Sequence, residues 1–169
     1  MNDIQEIQGQ VEGEGLRFAV VASRFNRQLC DLMVEGAVEC LSRHGVADDD
    51  LSVVRVPGAF EIPLALEELA ASGQVDGLVA LGVVIRGDTP HFDYVCNEAS
   101  RGCSRVCLEH RLPVGFGLLT CDDQEQAAAR AGGRSQGDLG KGWEAALAAL
   151  EMAGLLRHLR GGSAPGGEG

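Results

Sequence analysis

Aromatic residues are scarce in this chain, at 4% of its 169 residues, so any core it builds must be aliphatic and alanine-rich. Basic residues are scarce as well: 14 Lys and Arg face 25 Asp and Glu, a formal net charge of −11. A nucleic-acid binder needs a basic face, so that class is excluded. An anionic ligand would have to be caught by positive charge gathered locally, against the field of the whole chain. No apolar run approaches the length that spans a bilayer. The opening residues Met-Asn-Asp-Ile-Gln-Glu-Ile-Gln carry neither the basic nor the apolar part of a secretory signal. The expectation is a cytoplasmic protein with neither nucleic acid nor membrane among its partners. Several catalytic signatures are missing too. There is no GxxxxGK[ST] phosphate loop and no GxSxG elbow, and Gly13-Glu14-Gly15 precedes its strand and lacks the third glycine of a dinucleotide fingerprint.

The six cysteines, with no secretory signal, read as reduced thiols. Cys103, Cys107 and His110 fall at helical spacing, but no CxxC pair and no fourth ligand accompany them. They read as small buried residues on one helix face, and no metal is expected. Cys30, Cys40, Cys96 and Cys121 sit in apolar surroundings and read the same way.

What the chain has is alternation. Residues 1–15 are polar, with Ile4, Ile7 and Val11 as the apolar anchors, and read as an arm that is disordered alone or adds to another subunit's sheet edge. Residues 17–22 form a first buried strand. A helix over 27–44 follows, with Leu29, Met33, Gly36, Ala37, Cys40 and Leu41 on one face and Gly45 where a C-terminal cap belongs. The acid run at 48–50 reads as a solvated turn. Strand 51–56 precedes a helix opening at Ala59 and running to about 72. Strand 78–85 precedes a helix over 90–110. Strand 113–120 precedes a short helix capped by Asp122 or Asp123. Residues 132–140 form a glycine-rich loop, 141–160 a final Ala/Leu-rich helix, and 161–169 a low-complexity tail expected to be disordered. Such alternation predicts a parallel sheet with helices on both faces, whose ligands bind outside the carboxyl ends of the strands.

Three strand ends carry most of the chemistry. Leu78 to Ile85 is a nearly unbroken apolar run, and at Arg86 the polarity flips. Gly87 permits a tight turn, Asp88 and Thr89 are N-cap types, and Pro90 suits a first helical position. A helix N-terminus there offers free N–H groups to an anion, with Arg86 and the Thr89 hydroxyl close by. His91 adds the side-chain type that suits proton transfer near neutrality. The same residues also read as a plain helix cap, although that account leaves Arg86 beside His91 unexplained. Arg24-Phe25-Asn26 and Pro57-Gly58-Ala59-Phe60-Glu61 follow the first two strands. An exposed Phe25 would stack on a flat heterocycle, and Asn26 with Glu61 would hold hydroxyls. Taken singly, Phe25 also reads as a core residue and Glu61 as an acid favoured at a helix start.

These stretches resemble a known family. Arg24-Phe25-Asn26, Val56-Pro57-Gly58-Ala59-Phe60-Glu61-Ile62-Pro63 and the run Leu81-Gly82-Val83-Val84-Ile85-Arg86-Gly87-Asp88-Thr89-Pro90-His91-Phe92-Asp93-Tyr94 are similar to lumazine synthases. So are Pro113-Val114-Gly115-Phe116-Gly117, Arg130-Ala131-Gly132 and Lys141-Gly142, in the right order over about residues 9 to 157. The expected fold is an α/β protein, a three-layer α/β/α sandwich with a four-stranded parallel sheet in flavodoxin-like order plus an N-terminal arm. It divides into arm 1–15, one domain 16–160 and tail 161–169.

The resemblance implies a transferase of riboflavin synthesis that condenses 5-amino-6-(D-ribitylamino)uracil with 3,4-dihydroxy-2-butanone 4-phosphate, needing no metal or redox cofactor. It implies that Phe25 stacks on the pyrimidine, that Asn26, Glu61, Ala59 and Phe60 hold the ribityl chain, and that Val83, Val84 and Ile85 meet the uracil edge. Gly87, Asp88 by its N–H, and Thr89 would bind phosphate, and His91 would shuttle protons. Phe116, Arg130 and Lys141 would come from a neighbouring subunit of a homopentamer or a multiple of pentamers, with Arg130 on the phosphate. The segment between Arg130-Ala131-Gly132 and Lys141-Gly142 is longer than in shell-forming relatives, which points to free pentamers. It also makes Arg134 a second candidate for the role given to Lys141. Two rivals share the scaffold: a pentameric-type riboflavin synthase, which needs no phosphate pocket, and a flavin or lumazine carrier, which needs no His91.

Overall fold

The computed structural model of the chain describes residues 4–132 and 139–161. The tail from 162 onward and Arg134 lie outside the described residues. Four strands, β1 (Phe18–Ser23), β2 (Leu51–Val56), β3 (Gly77–Ile85) and β4 (Val114–Cys121), form one sheet in the order β2-β1-β3-β4. Every pairing is parallel, with Phe18 opposite Leu51 and Gly77, and Ile85 opposite Cys121. The helices are α1 (Arg27–Arg43), α2 (Ile62–Ala71), α3 (His91–His110), α4 (Gln124–Ala131) and α5 (Gly140–Leu159). The strand order reverses between β1 and β3, the place where such sheets open a crevice.

The two-residue period of a strand sorts the core into two layers. From β1, Phe18, Val20 and Ala22 join Leu29, Met33, Leu41, Ala127, Ala146 and Leu150 of α1, α4 and α5 on one face. Ala19 and Val21 point the other way, to Ile62 and Leu66 of α2 and Ala99, Cys103 and Val106 of α3. The central strands are buried on both sides, which is why they read as unbroken apolar runs. β2 is an edge strand, exposing Ser52, Val53 and Arg55. Among the described residues no helix is long and apolar enough to cross a membrane.

The punctuation matches the residue types. Gly45 follows α1 at φ 97, and Asp123 rather than Asp122 caps α4, accepting from the Gln126 N–H at 2.8 Å. One stretch differs from expectation. Ala59–Glu61 is a separate 3-10 turn, and α2 starts only at Ile62, with Pro63 in its first turn. The acid run Asp48–Asp50, expected as a solvated turn, is a 3-10 turn with none of its residues buried. The arm is laid along the domain. The Gln8 amide donates to the Glu151 carboxylate at 3.2 Å, Gly9 lies against the backbone of Glu151 and Leu155, and the Gly13 N–H donates to the His44 carbonyl at 2.7 Å.

Candidate active site

The loop after β1 is tied to the end of β2: the Arg24 and Phe25 N–H groups donate to the Val56 and Pro57 carbonyls at 2.8 and 3.1 Å. Asn26 then enters the left-handed region, at φ 55 and ψ 44, before α1 begins. Asparagine tolerates that region better than most residues. Its Nδ2 donates to the Val83 carbonyl at 2.8 Å, so the amide links the ends of β1 and β3 across the switch point. Phe25 is pushed outward and is 70% exposed. The core reading of Phe25 is therefore excluded.

After β2, Gly58 is extended, Ala59 is buried and Phe60 is exposed. The Glu61 side chain folds back over Gly58, its Oε2 3.1 Å from where a Cβ would stand. At the end of β3, Val83 is buried and Val84 and Ile85 are half-buried, and residues 86–91 beyond it are exposed. The His91 N–H reaches the Thr89 hydroxyl at 3.4 Å, the outer limit of a hydrogen bond. Among the described residues no acceptor meets the N–H groups of Gly87, Asp88 or Thr89. Three consecutive unpaired donors precede a helix N-terminus, an arrangement suited to a phosphate.

These ends enclose a cleft of about 690 Å³. Phe25, Ala59, Phe60, Glu61, Val83, Val84, Ile85, Gly87, Thr89 and His91 all line it. Asn26 and Asp88 stand on the same loops but are not part of its wall. Pro57, Gly58, Phe92, Tyr94, Val95 and Glu98 complete the wall; of these, Tyr94, Val95 and Glu98 were missed by sequence reasoning. They stand three, four and seven residues after His91, on one helix face, and that spacing was the available signal. Among the described residues the wall contains the carboxylates of Glu61 and Glu98 and the imidazole of His91, and no lysine or arginine.

The remaining candidates lie elsewhere on the protomer. Arg130 and Lys141 line a separate cavity of about 750 Å³ beside Thr120 and Cys121. Arg130 donates to the Gln126 carbonyl at 3.0 Å, and Lys141 pairs with Glu144 at 3.0 Å. Phe116, exposed on β4, lines an apolar groove of about 730 Å³ with Leu108, Met152 and Lys141. Arg86 departs from its expected place. Its Nε donates to Asp122 at 2.9 Å and its Nη1 to Asp93 at 3.5 Å, and its guanidinium carbon stands 4.3 Å from the Phe92 ring centre. The hydrogen bond to Asp122 raises its pKa above the usual arginine value. With two carboxylates satisfied, Arg86 is not a cation held open for a ligand.

Of Cys103, Cys107 and His110, the histidine meets Glu67 of α2, Nε2 to Oε1 at 2.9 Å, and burial pushes the Cys103 thiol up to about 12. Comparison with known proteins identifies the family. The family model described as 6,7-dimethyl-8-ribityllumazine synthase matches residues 15–157. The chain is 52% identical over 159 residues to the protein of that name from Desulfovibrio desulfuricans, covering 94% of this chain and 100% of the relative. It is 51% identical over 157 residues to the one from Aquifex aeolicus, covering 93% and 100%, and 51% identical over 159 residues to that from Nitratidesulfovibrio vulgaris, covering 94% and 100%. With a match over most of the chain and about half its residues shared along the full length of these relatives, the chain belongs to the 6,7-dimethyl-8-ribityllumazine synthase family.

Proposed function

We propose that this protein makes 6,7-dimethyl-8-ribityllumazine, condensing 5-amino-6-(D-ribitylamino)uracil with 3,4-dihydroxy-2-butanone 4-phosphate with loss of phosphate and water. The family supplies the reaction, and one observation supports its assignment to the cleft. An exposed aromatic ring, an edge of strand backbone, a carboxylate and an anion turn beside a histidine all face one space of about 690 Å³. Phe25 stacks on the pyrimidine. Val83, Val84 and Ile85 present the β3 end to the uracil edge. Glu61, with Ala59, Phe60 and Asn26, holds the ribityl chain; Asn26 keeps its Oδ1 for this, since Nδ2 is engaged by Val83. The phosphate sits on the N–H groups of Gly87 and Asp88 and on Thr89, where leaving-group charge is stabilised by fixed dipoles. His91, at the adjoining helix start, moves protons between the amine, the carbonyl and the leaving water.

Among the described residues the cleft wall carries no lysine or arginine, so a phosphate bound there meets no counter-charge from those residues. Arg130 supplies it from a neighbouring copy, with Phe116 and Lys141 of that copy closing the cleft, which makes the working unit a homo-oligomer. A pentamer is the assembly taken here. The test is to mix the purified protein with both substrates and follow the lumazine chromophore against an enzyme-free blank. A rate well above the blank is the expected outcome. No acceleration, with lumazine or riboflavin still bound tightly, would overturn the enzyme reading in favour of a carrier.

A further inference from the structure

We propose that Arg86 is a positioning residue for the anion-binding turn, acting through Asp122 and Asp93 rather than touching the anion. This rests on the reading of that turn as a phosphate site. The backbone of 87–89 does little to hold its own shape: among the described residues its three N–H groups meet no acceptor, and a Cβ at Gly87 would meet nothing within 4 Å. Such a turn binds an anion well only if its two ends are fixed, because ordering it on binding would consume affinity.

Arg86 fixes both ends. Its N–H donates to the Cys121 carbonyl at 2.9 Å, extending the β3–β4 ladder one residue beyond Ile85. Its guanidinium then reaches forward over the turn to Asp93 in the first turn of α3, and sideways to Asp122 at the end of β4. The planar group also lies over Phe92, which is buried beneath it. The strand end, the helix start and the neighbouring strand end are thereby held by one side chain. An isolated exposed ion pair contributes little, but one guanidinium shared by two carboxylates and stacked on a ring has a fixed geometry that a lone pair lacks. The charge balance argues the same way. Arg86 with Asp93 and Asp122 sums to −1, so the cluster offers an incoming phosphate no net attraction.

A direct role and a positioning role predict opposite signs for one substitution. If Arg86 bound the anion, Asp122→Ala would release it and tighten phosphate binding. If Arg86 positions the turn through Asp122, Asp122→Ala loosens binding as Arg86→Ala does, and the double variant binds no worse than the weaker-binding single. The experiment titrates inorganic phosphate by calorimetry, alongside KM for each substrate, in the wild type, Arg86→Ala, Arg86→Lys, Asp122→Ala and the double variant. The expected result is phosphate binding and KM for the butanone phosphate weakened by roughly tenfold or more, towards the 10²-fold that a misplacement of about 1 Å can cost. KM for the ribitylaminouracil should stay within about twofold, and Arg86→Lys should fail to rescue, lacking the fork and the stack. Unchanged phosphate binding in Arg86→Ala, tighter binding in Asp122→Ala, rescue by lysine, or no phosphate binding by the wild type would each overturn the proposal. A wild type that binds phosphate but forms no lumazine would sink the enzyme reading alone, since the phosphate titrations still decide the role of Arg86.

Discussion

At position 87 an added methyl group would meet nothing within 4 Å, and the backbone is not among the left-handed glycines. The protomer has no packing reason for glycine there, and a ligand that must approach the backbone closely is the remaining one. Gly87→Ala should therefore leave stability unchanged or raise it by about 0.4–1 kcal/mol, through a less flexible unfolded chain, while KM for the butanone phosphate rises. A variant that melts early but binds phosphate normally would contradict this. His91 stands exposed at the cleft mouth, so His91→Ala should fold as the wild type does and lower kcat by about 10²-fold, the low end for acid–base assistance; an unchanged kcat would remove it from the chemistry. Cys103 shows the opposite of function. Burial holds its thiol neutral up to about 12 and that of Cys40 to about 11, whereas an unfolded thiol titrates near about 8.5. Folding favours the protonated form, so this contribution is complete below that lower value and is lost as pH climbs towards about 12. Denaturant midpoints taken from pH 8 upward should fall less steeply for Cys103→Ala, by at most about 1.4 kcal/mol per pH unit. Identical slopes would mean that the fold accommodates the thiolate.

Among the elements, α5 has the closest contact with its neighbours. A Cβ on Gly142 would collide with the backbone of Met33 in α1, and one on Gly115 of β4 with the carbonyl of Ala145 in α5. Replacing Gly142 by Ala in an ordinary helix would gain about 1 kcal/mol of propensity. Here the obstacle is backbone and cannot rotate aside, so overpacking at about 1–3 kcal/mol or more decides the sign. Gly142→Ala should lower the melting temperature, and a rise would show that α1 and α5 can part at no cost. The same contacts mark what the sequence could and could not say. Buried parallel strands declare themselves as apolar runs, and the helices by their period and caps, so the order of elements and the rim they share were legible. The placement of the arm was not. Gly9 and Gly154, far apart in sequence, are where the backbones of the arm and α5 touch. Nor was the fate of Arg86, whose partner Asp122 is 36 residues away and becomes visible only once β3 and β4 are paired. Tyr94, Val95 and Glu98 were hidden differently: their spacing from His91 was on the page, but polar and aromatic residues at helical intervals read equally well as an ordinary surface.

For the whole molecule the question is whether one protomer owns a complete site. Among the described residues its cleft wall has the turn at 87–89 and His91 but no lysine or arginine, while Arg130 lines a different cavity. If Arg130 serves the neighbour's cleft, Arg130→Ala should raise KM for the butanone phosphate and leave KM for the ribitylaminouracil nearly unchanged. Kinetics of a single variant cannot tell a residue donated across an interface from one that swings over within its own chain, but mixed assemblies can. Arg130→Ala protomers keep His91, and His91→Ala protomers keep Arg130. Co-expressed in equal amounts and randomly assembled, they would place an intact His91 opposite an intact Arg130 at about one interface in four, as cyclic assembly of identical surfaces requires. With the butanone phosphate well below its KM for the Arg130→Ala variant, activity per site should then recover to about a quarter of the wild-type value, well above either variant alone. Within a single protomer every site would lack one residue or the other, and the mixture would show only the mean of the two variants. That outcome, or a monomer on sizing, would return Arg130 to the surface of its own chain.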